Sequence, residues 1–136
     1  TRSLVGSEMC IRDSSERDTR IMREAYESFA HLVKQYPDSK YASDSAQRMI
    51  HLRNNMARYE IHVADYYLRR GAYVAAANRG KYVIENYQRT PVVPEALVIL
   101  VRAYRKLDVD DLADDALRVL RLNYPDHPEL ASLEKR

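Results

Sequence analysis

Residues 56–87, MARYEIHVADYYLRRGAYVAAANRGKYVIENY, decide the fold, because they read as two amphipathic helices back to back with one short turn between them. In the first, Tyr59, Val63 and Tyr67 recur four residues apart with Ala64 and Leu68 on neighbouring rows, which is an apolar stripe of helical period. Arg70-Gly71 is the turn: basic side chains close the last helical turn, and glycine supplies the left-handed residue that ends it. In the second helix Ala76, Gly80, Val83, Ile84 and Tyr87 make the next stripe, whose small members allow close helix approach. A helical hairpin cannot cover both of its apolar faces, so it has to stack on copies of itself.

The chain supplies those copies. Tyr67 and Tyr104, Ala76 and Ala113, and Tyr87 and Tyr124 are each 37 residues apart. Upstream, Ala25, Phe29, Leu32, Tyr36 and Pro37 match Ala113, Leu117, Leu120, Tyr124 and Pro125 position by position. Two helices per unit of about 34 residues, with a small residue early in the second and proline after it, is the tetratricopeptide pattern. The expected fold is therefore all-α, a tetratricopeptide-repeat solenoid of antiparallel helix pairs. Gln88 in place of a proline, and Gly80 where Phe29 and Leu117 stand, depart from the pattern. The linker between the first and second units is also 14 residues longer than the other one.

Working outward, a helix is expected from about Asp18 to Tyr36, with Met22, Ala25, Tyr26, Phe29, Leu32 and Val33 on one side and Pro37 as its stop. No Gly or Pro falls between Lys40 and Gly71, so the next helix either runs unbroken into the hairpin or breaks near Arg53–Asn55. Pro94 opens a helix carrying Leu97, Leu100, Val101 and Tyr104 inward. Asp110-Asp111 opens another, their charge favouring its positive end, and a further turn of helix follows Pro128. Residues 1–14, TRSLVGSEMCIRDS, show neither helix period nor signal-peptide pattern and are expected to be a foreign or disordered tail. Residues 15–136 then form one repeat domain, the C-terminal part of a longer protein.

Composition narrows function. Twenty-two bases against 20 acids leave a formal charge of +2, which is no basic field of the kind nucleic-acid binders use. No run approaches the ~18 apolar residues of a membrane span. The single cysteine, Cys10, forms no internal disulfide. His31, His51, His62 and His127 pair with no other ligand at helical spacing, so neither a metal nor another cofactor is expected. No nucleophile elbow or glycine-rich phosphate loop is present, and an enzyme is not expected. Eleven tyrosines and one phenylalanine suit helix seams or a partner-facing surface. Arg79, Tyr82 and Asn86, at i, i+3 and i+7, share a face opposite the apolar stripe of their helix, and Arg beside Tyr is a common interface anchor. The competing reading of the basic residues Arg69, Arg70, Arg79 and Lys81 is a solvated face.

The segments RYEIHVADYYLRRGAYVAAANRGKYVIENYQRTPVVPEAL, VRAYRKLDVDDLADDALRVLRLNYPDHPEL and AYESFAHLVKQYPDSKYASDSAQRMIHLRNNMARYE resemble the C-terminal repeats of the BamD family. These are lipoproteins of the outer-membrane β-barrel assembly machinery. The resemblance covers roughly Asp18 to Leu130. It implies a non-catalytic scaffold at the periplasmic face of the outer membrane, docking on the barrel-proximal POTRA domain of BamA. Other assembly lipoproteins and unfolded outer-membrane proteins would be its further partners. Membrane attachment would come only through a lipid-bearing cysteine that this stretch lacks, since Cys10 follows no lipobox. Arg79, in the ANRGKYV segment, is the residue carried over as the main BamA contact, with Tyr82, Asn86, Arg70 and Tyr73 around it. Arg79→Glu is expected to keep the helical fold and weaken that docking. The rival readings are another periplasmic tetratricopeptide protein, such as a coordinator of envelope constriction, and a peptide-binding chaperone-cofactor groove.

Overall fold

A computed structural model describes the backbone of residues 2–135 and the side chains of residues 18–135. The expectation for residues 1–14 therefore lies outside the described side chains. Six helices and no strand occur among the described residues: α1 Arg2–Gln35, α2 Ala42–Arg69, α3 Tyr73–Asn86, α4 Val93–Lys106, α5 Asp110–Asn123 and α6 Leu130–Glu134. The all-α repeat expected from the sequence is what forms. The chain divides into two compact units, 1–56 and 57–136, with the boundary inside α2. That helix is unbroken over its 28 residues, which settles the choice left open at Arg53–Asn55.

In the first unit, Met22, Ala25, Tyr26, Phe29, Leu32 and Val33 of α1 are half-buried, as their spacing predicts, while Tyr36 is exposed. The Tyr36 N–H still donates to the Leu32 carbonyl, and Pro37 then ends the helix. Ser39 Oγ accepts the Tyr41 N–H at 3.2 Å in the turn before α2, where Ala42 and Ser45 are buried.

The second unit holds the organising hairpin and its copy. α4 is its centre. Every residue from Ala96 to Val101, and Ala103, is buried, because α3 packs on one side of α4 and α5 on the other. The buried residues of its neighbours are Ala76, Ala77, Gly80 and Val83 of α3, and Ala113, Ala116, Leu117 and Leu120 of α5. Gly80 sets how near α3 comes: a Cβ there would stand 3.3 Å from both the Ala96 carbonyl oxygen and Leu100 Cγ. That explains the glycine at a position held by Phe29 and Leu117 elsewhere in the pattern.

The buried line of α2 in this unit corrects one expectation. Ala57, Glu60, Ile61 and Ala64 are buried, whereas Tyr59, Val63 and Tyr67 are only half-buried. Alanines permit the closest approach between helices. The bulkier tyrosines stay partly exposed instead, as suits a side chain with an apolar body and a polar tip.

The 37-residue period extends to the turns. After α2, the Ala72 N–H donates to the Tyr67 carbonyl and the Gly71 N–H to the Leu68 carbonyl, with Gly71 at φ 78°. After α4, Val109 bonds Tyr104 and Asp108 bonds Arg105 in the same pattern, with Asp108 at φ 58°. Both are Schellman closures, one with the expected glycine and one with an aspartate in the left-handed region. The short α6 buries Leu130 and Leu133. Three arginines hold it: Arg102 pairs with Glu129, Arg105 Nη2 donates to the Leu133 carbonyl at 2.7 Å, and Arg121 Nε donates to Glu134 Oε1 at 2.8 Å.

Candidate functional site

The exposed side of α3 carries Arg79, Tyr82 and Asn86, and the helix geometry brings them onto one flank. Arg79 is not on the far side from the core. It borders the seam with α2 and reaches back across it, where Nη1 donates to Glu60 Oε2 at 2.8 Å. The side chain of Glu60 is only 6% exposed and that of Arg79 is 44% exposed, so the acid is inside and the base is at the rim. Burial by itself lowers the Arg79 pKa. The hydrogen bond and charge of Glu60 raise it by more, with smaller contributions from Tyr67 and Tyr59, and the net shift is upward. The guanidinium is a fixed charge, held in place by a buried carboxylate.

Glu60 lies off the tyrosine stripe of α2, so the helical period does not mark it. The available signal was its place on a row of alanines and isoleucine, where an acid demands a cation within reach. It also changes what Arg79→Glu would do. That substitution would set two carboxylates against each other at a buried site, so its effect on a partner could not be separated from its effect on the fold.

Tyr82 is 37% exposed and packs edge-on against the buried Tyr87 ring, centroids 5.8 Å apart. Asn86 Nδ2 donates to the Tyr82 carbonyl at 3.0 Å, one helical turn back. Arg70, at the α2–α3 turn, lies over the Tyr66 ring at 5.6 Å. Tyr73 does not join the group. Nine residues separate it from Tyr82, and at about 100° per residue that is two and a half turns, putting the two rings on opposite sides of α3. Tyr73 instead lines a shallow groove of about 260 Å³ with Leu68, Arg102, Arg105 and Lys106. The predicted residues thus form a rim of Arg79, Tyr82 and Asn86, with Arg70 at the turn and Tyr73 on the other flank.

Among the described residues, no group of three His, Cys, Asp or Glu side chains could hold a metal ion, and no helix is long and apolar enough to cross a membrane.

A family model described as YfiO, outer membrane lipoprotein, matches residues 3–120. Among curated proteins, the outer membrane protein assembly factor BamD of Neisseria gonorrhoeae is 48% identical over 124 residues, covering 91% of this chain and 46% of its own. BamD of Xylella fastidiosa strain Temecula1 is 44% identical over 118 residues, covering 87% of this chain and 40% of its own. BamD of Vibrio cholerae is 35% identical over 111 residues, covering 82% and 46%. The chain spans less than half the length of these relatives.

Proposed function

The chain belongs to the YfiO family of outer membrane lipoproteins, whose curated members here are BamD assembly factors, and from that premise we propose that it is a non-catalytic scaffold of outer-membrane protein assembly. Its work is to dock, at the periplasmic face of the outer membrane, on the barrel-proximal POTRA domain of BamA. The other assembly lipoproteins and unfolded outer-membrane proteins are the remaining partners in this reading. The docking surface is the α3 rim of Arg79, Tyr82 and Asn86, with Arg70 as a secondary contact.

One observation carries the reading: a cation fixed at the rim by a buried acid, beside a half-exposed tyrosine already braced by a second ring. Both side chains are ordered before a partner arrives, so docking loses little side-chain entropy. Arg and Tyr are also the residue types that most often anchor interfaces. The test is co-purification of this chain with isolated POTRA domains, set beside a panel of barrel C-terminal peptides. Tyr82→Ala should weaken POTRA binding at least tenfold with the helical spectrum unchanged. Glu60→Gln with Arg79→Gln, which removes the charge but leaves amides able to pair, should weaken it as well. Undiminished binding by both variants would remove this rim from the interface.

A further inference from the structure

The groove on the other flank of α3 lies outside the docking rim, and its charged lining residues are of one sign. Of its five lining residues, Arg102, Arg105 and Lys106 are cations, none is an acid, and Leu68 and Tyr73 supply apolar surface. A basic last turn is common at helix C-termini, where it offsets the carbonyl dipoles, and that accounts for part of the charge. Here the cations also meet few counter-charges. Arg102 has its acid in Glu129. Arg105 commits Nη2 to a neutral carbonyl, that of Leu133, and its buried Nε has no acceptor at all. Lys106 takes part in none of the ion pairs seen among the described residues.

Size limits the occupant. At about 260 Å³ the groove is below the several hundred Å³ typical of cofactor and drug-sized sites, but it can take one large side chain. The stem of the exposed Lys106 extends its apolar wall with the charged end at the rim, while the Arg105 guanidinium is partly buried. A side chain seated on Leu68 and Tyr73 would therefore have positive charge on one side of it. We propose that this groove binds an extended acidic segment of another protein, with one leucine-sized or aromatic side chain in the groove and a neighbouring carboxylate against Lys106.

Because Tyr73 and Tyr82 lie on opposite flanks of α3, the groove is separate from the docking rim and can be tested apart from it. The probes are two labelled hexapeptides, one alternating glutamate with leucine and one alternating lysine with leucine, titrated into the 136-residue chain by fluorescence anisotropy. The glutamate peptide should bind and the lysine peptide should not. Raising the salt from 50 to 300 mM should weaken the binding severalfold, as contacts between exposed charges are screened. Lys106→Glu, at an exposed position off the core, should reduce affinity at least fivefold, while Tyr82→Ala leaves it unchanged. Equal binding of both peptides, no binding of either, or full affinity in Lys106→Glu would overturn the proposal. Loss of affinity in Tyr82→Ala would overturn it too, since the peptide would then be on the rim. POTRA binding that survives Lys106→Glu would show the two surfaces to be independent.

Discussion

Removing Arg79 leaves Glu60 as a buried acid without its cation, and the cost follows from where the two side chains sit. Breaking a fully buried ion pair from one side costs about 3–5 kcal/mol. An exposed pair contributes about 0–1 kcal/mol. With Glu60 6% exposed and Arg79 44% exposed, the pair lies between these limits, and water that reaches the rim after truncation solvates part of the orphaned charge. Arg79→Ala should therefore destabilise the chain by about 2 kcal/mol. For a chain of this length, that corresponds to a fall in Tm of about 6–10 °C. The assay is urea and thermal unfolding followed by the helical dichroism signal. Glu60→Gln in the Arg79→Ala background should recover at least half of the loss, because a neutral amide needs no counter-charge. That rescue separates an electrostatic cause from lost arginine packing, which a change at Glu60 would not repair. An Arg79→Ala variant within about 0.3 kcal/mol of the parent would refute the reasoning, as would a double variant no more stable than the single.

Three further outcomes follow from the backbone and the core. Asp108→Gly, which relieves an L-residue held at φ 58°, should stabilise the chain by about 0.5–1 kcal/mol, and Gly71→Ala at the equivalent closure should cost about 1 kcal/mol; a urea midpoint moving the same way in both would contradict the shared closure. Gly80→Leu should destabilise the chain by about 3 kcal/mol, read as a lowered thermal midpoint, because the Ala96 carbonyl already stands 3.3 Å from where its Cβ would be and cannot move without disturbing α4; an unshifted midpoint would show that α3 slides freely. Leu120→Ala, at a fully buried position in α5, should cost about 3–4 kcal/mol in urea unfolding, and a loss below about 1 kcal/mol would mean the site collapses around the cavity.

Much of this architecture can be read directly from residue spacing. The recurrence at 37 residues marks helix closures and seam alanines alike, and Gly71 announces its own backbone angle. Asp108 was harder to read, because an aspartate just before a helix suggests a start signal rather than the end of the previous helix. The tyrosine stripe of α2 misled for a steric reason. Tyr59 and Ala57 are two residues apart, about 200° around one helix, and hydropathy alone does not say that the side with the smaller residue takes the seam. The candidate site was legible as a face and illegible as a network. Arg79, Tyr82 and Asn86 follow from helical spacing, but the ion pair from Arg79 to Glu60 joins two helices through the tertiary fold. So do the three arginine contacts that hold α6, which join residues 13 to 28 positions apart. Local periodicity carries no record of such pairings.

The arginine at the rim also dictates terms to whatever meets it. Its fork carries five hydrogens, and Nη1 is already turned inward, so an approaching carboxylate finds the remaining corners and must share the cation rather than capture it. A visitor that pulled the side chain outward would strip the interior acid of its companion, and complex formation would then erode the host's own cohesion. Under the proposed docking, a guest that left that inner bond standing would avoid such a penalty, so the bond would favour partners that share the cation over those that pull it away.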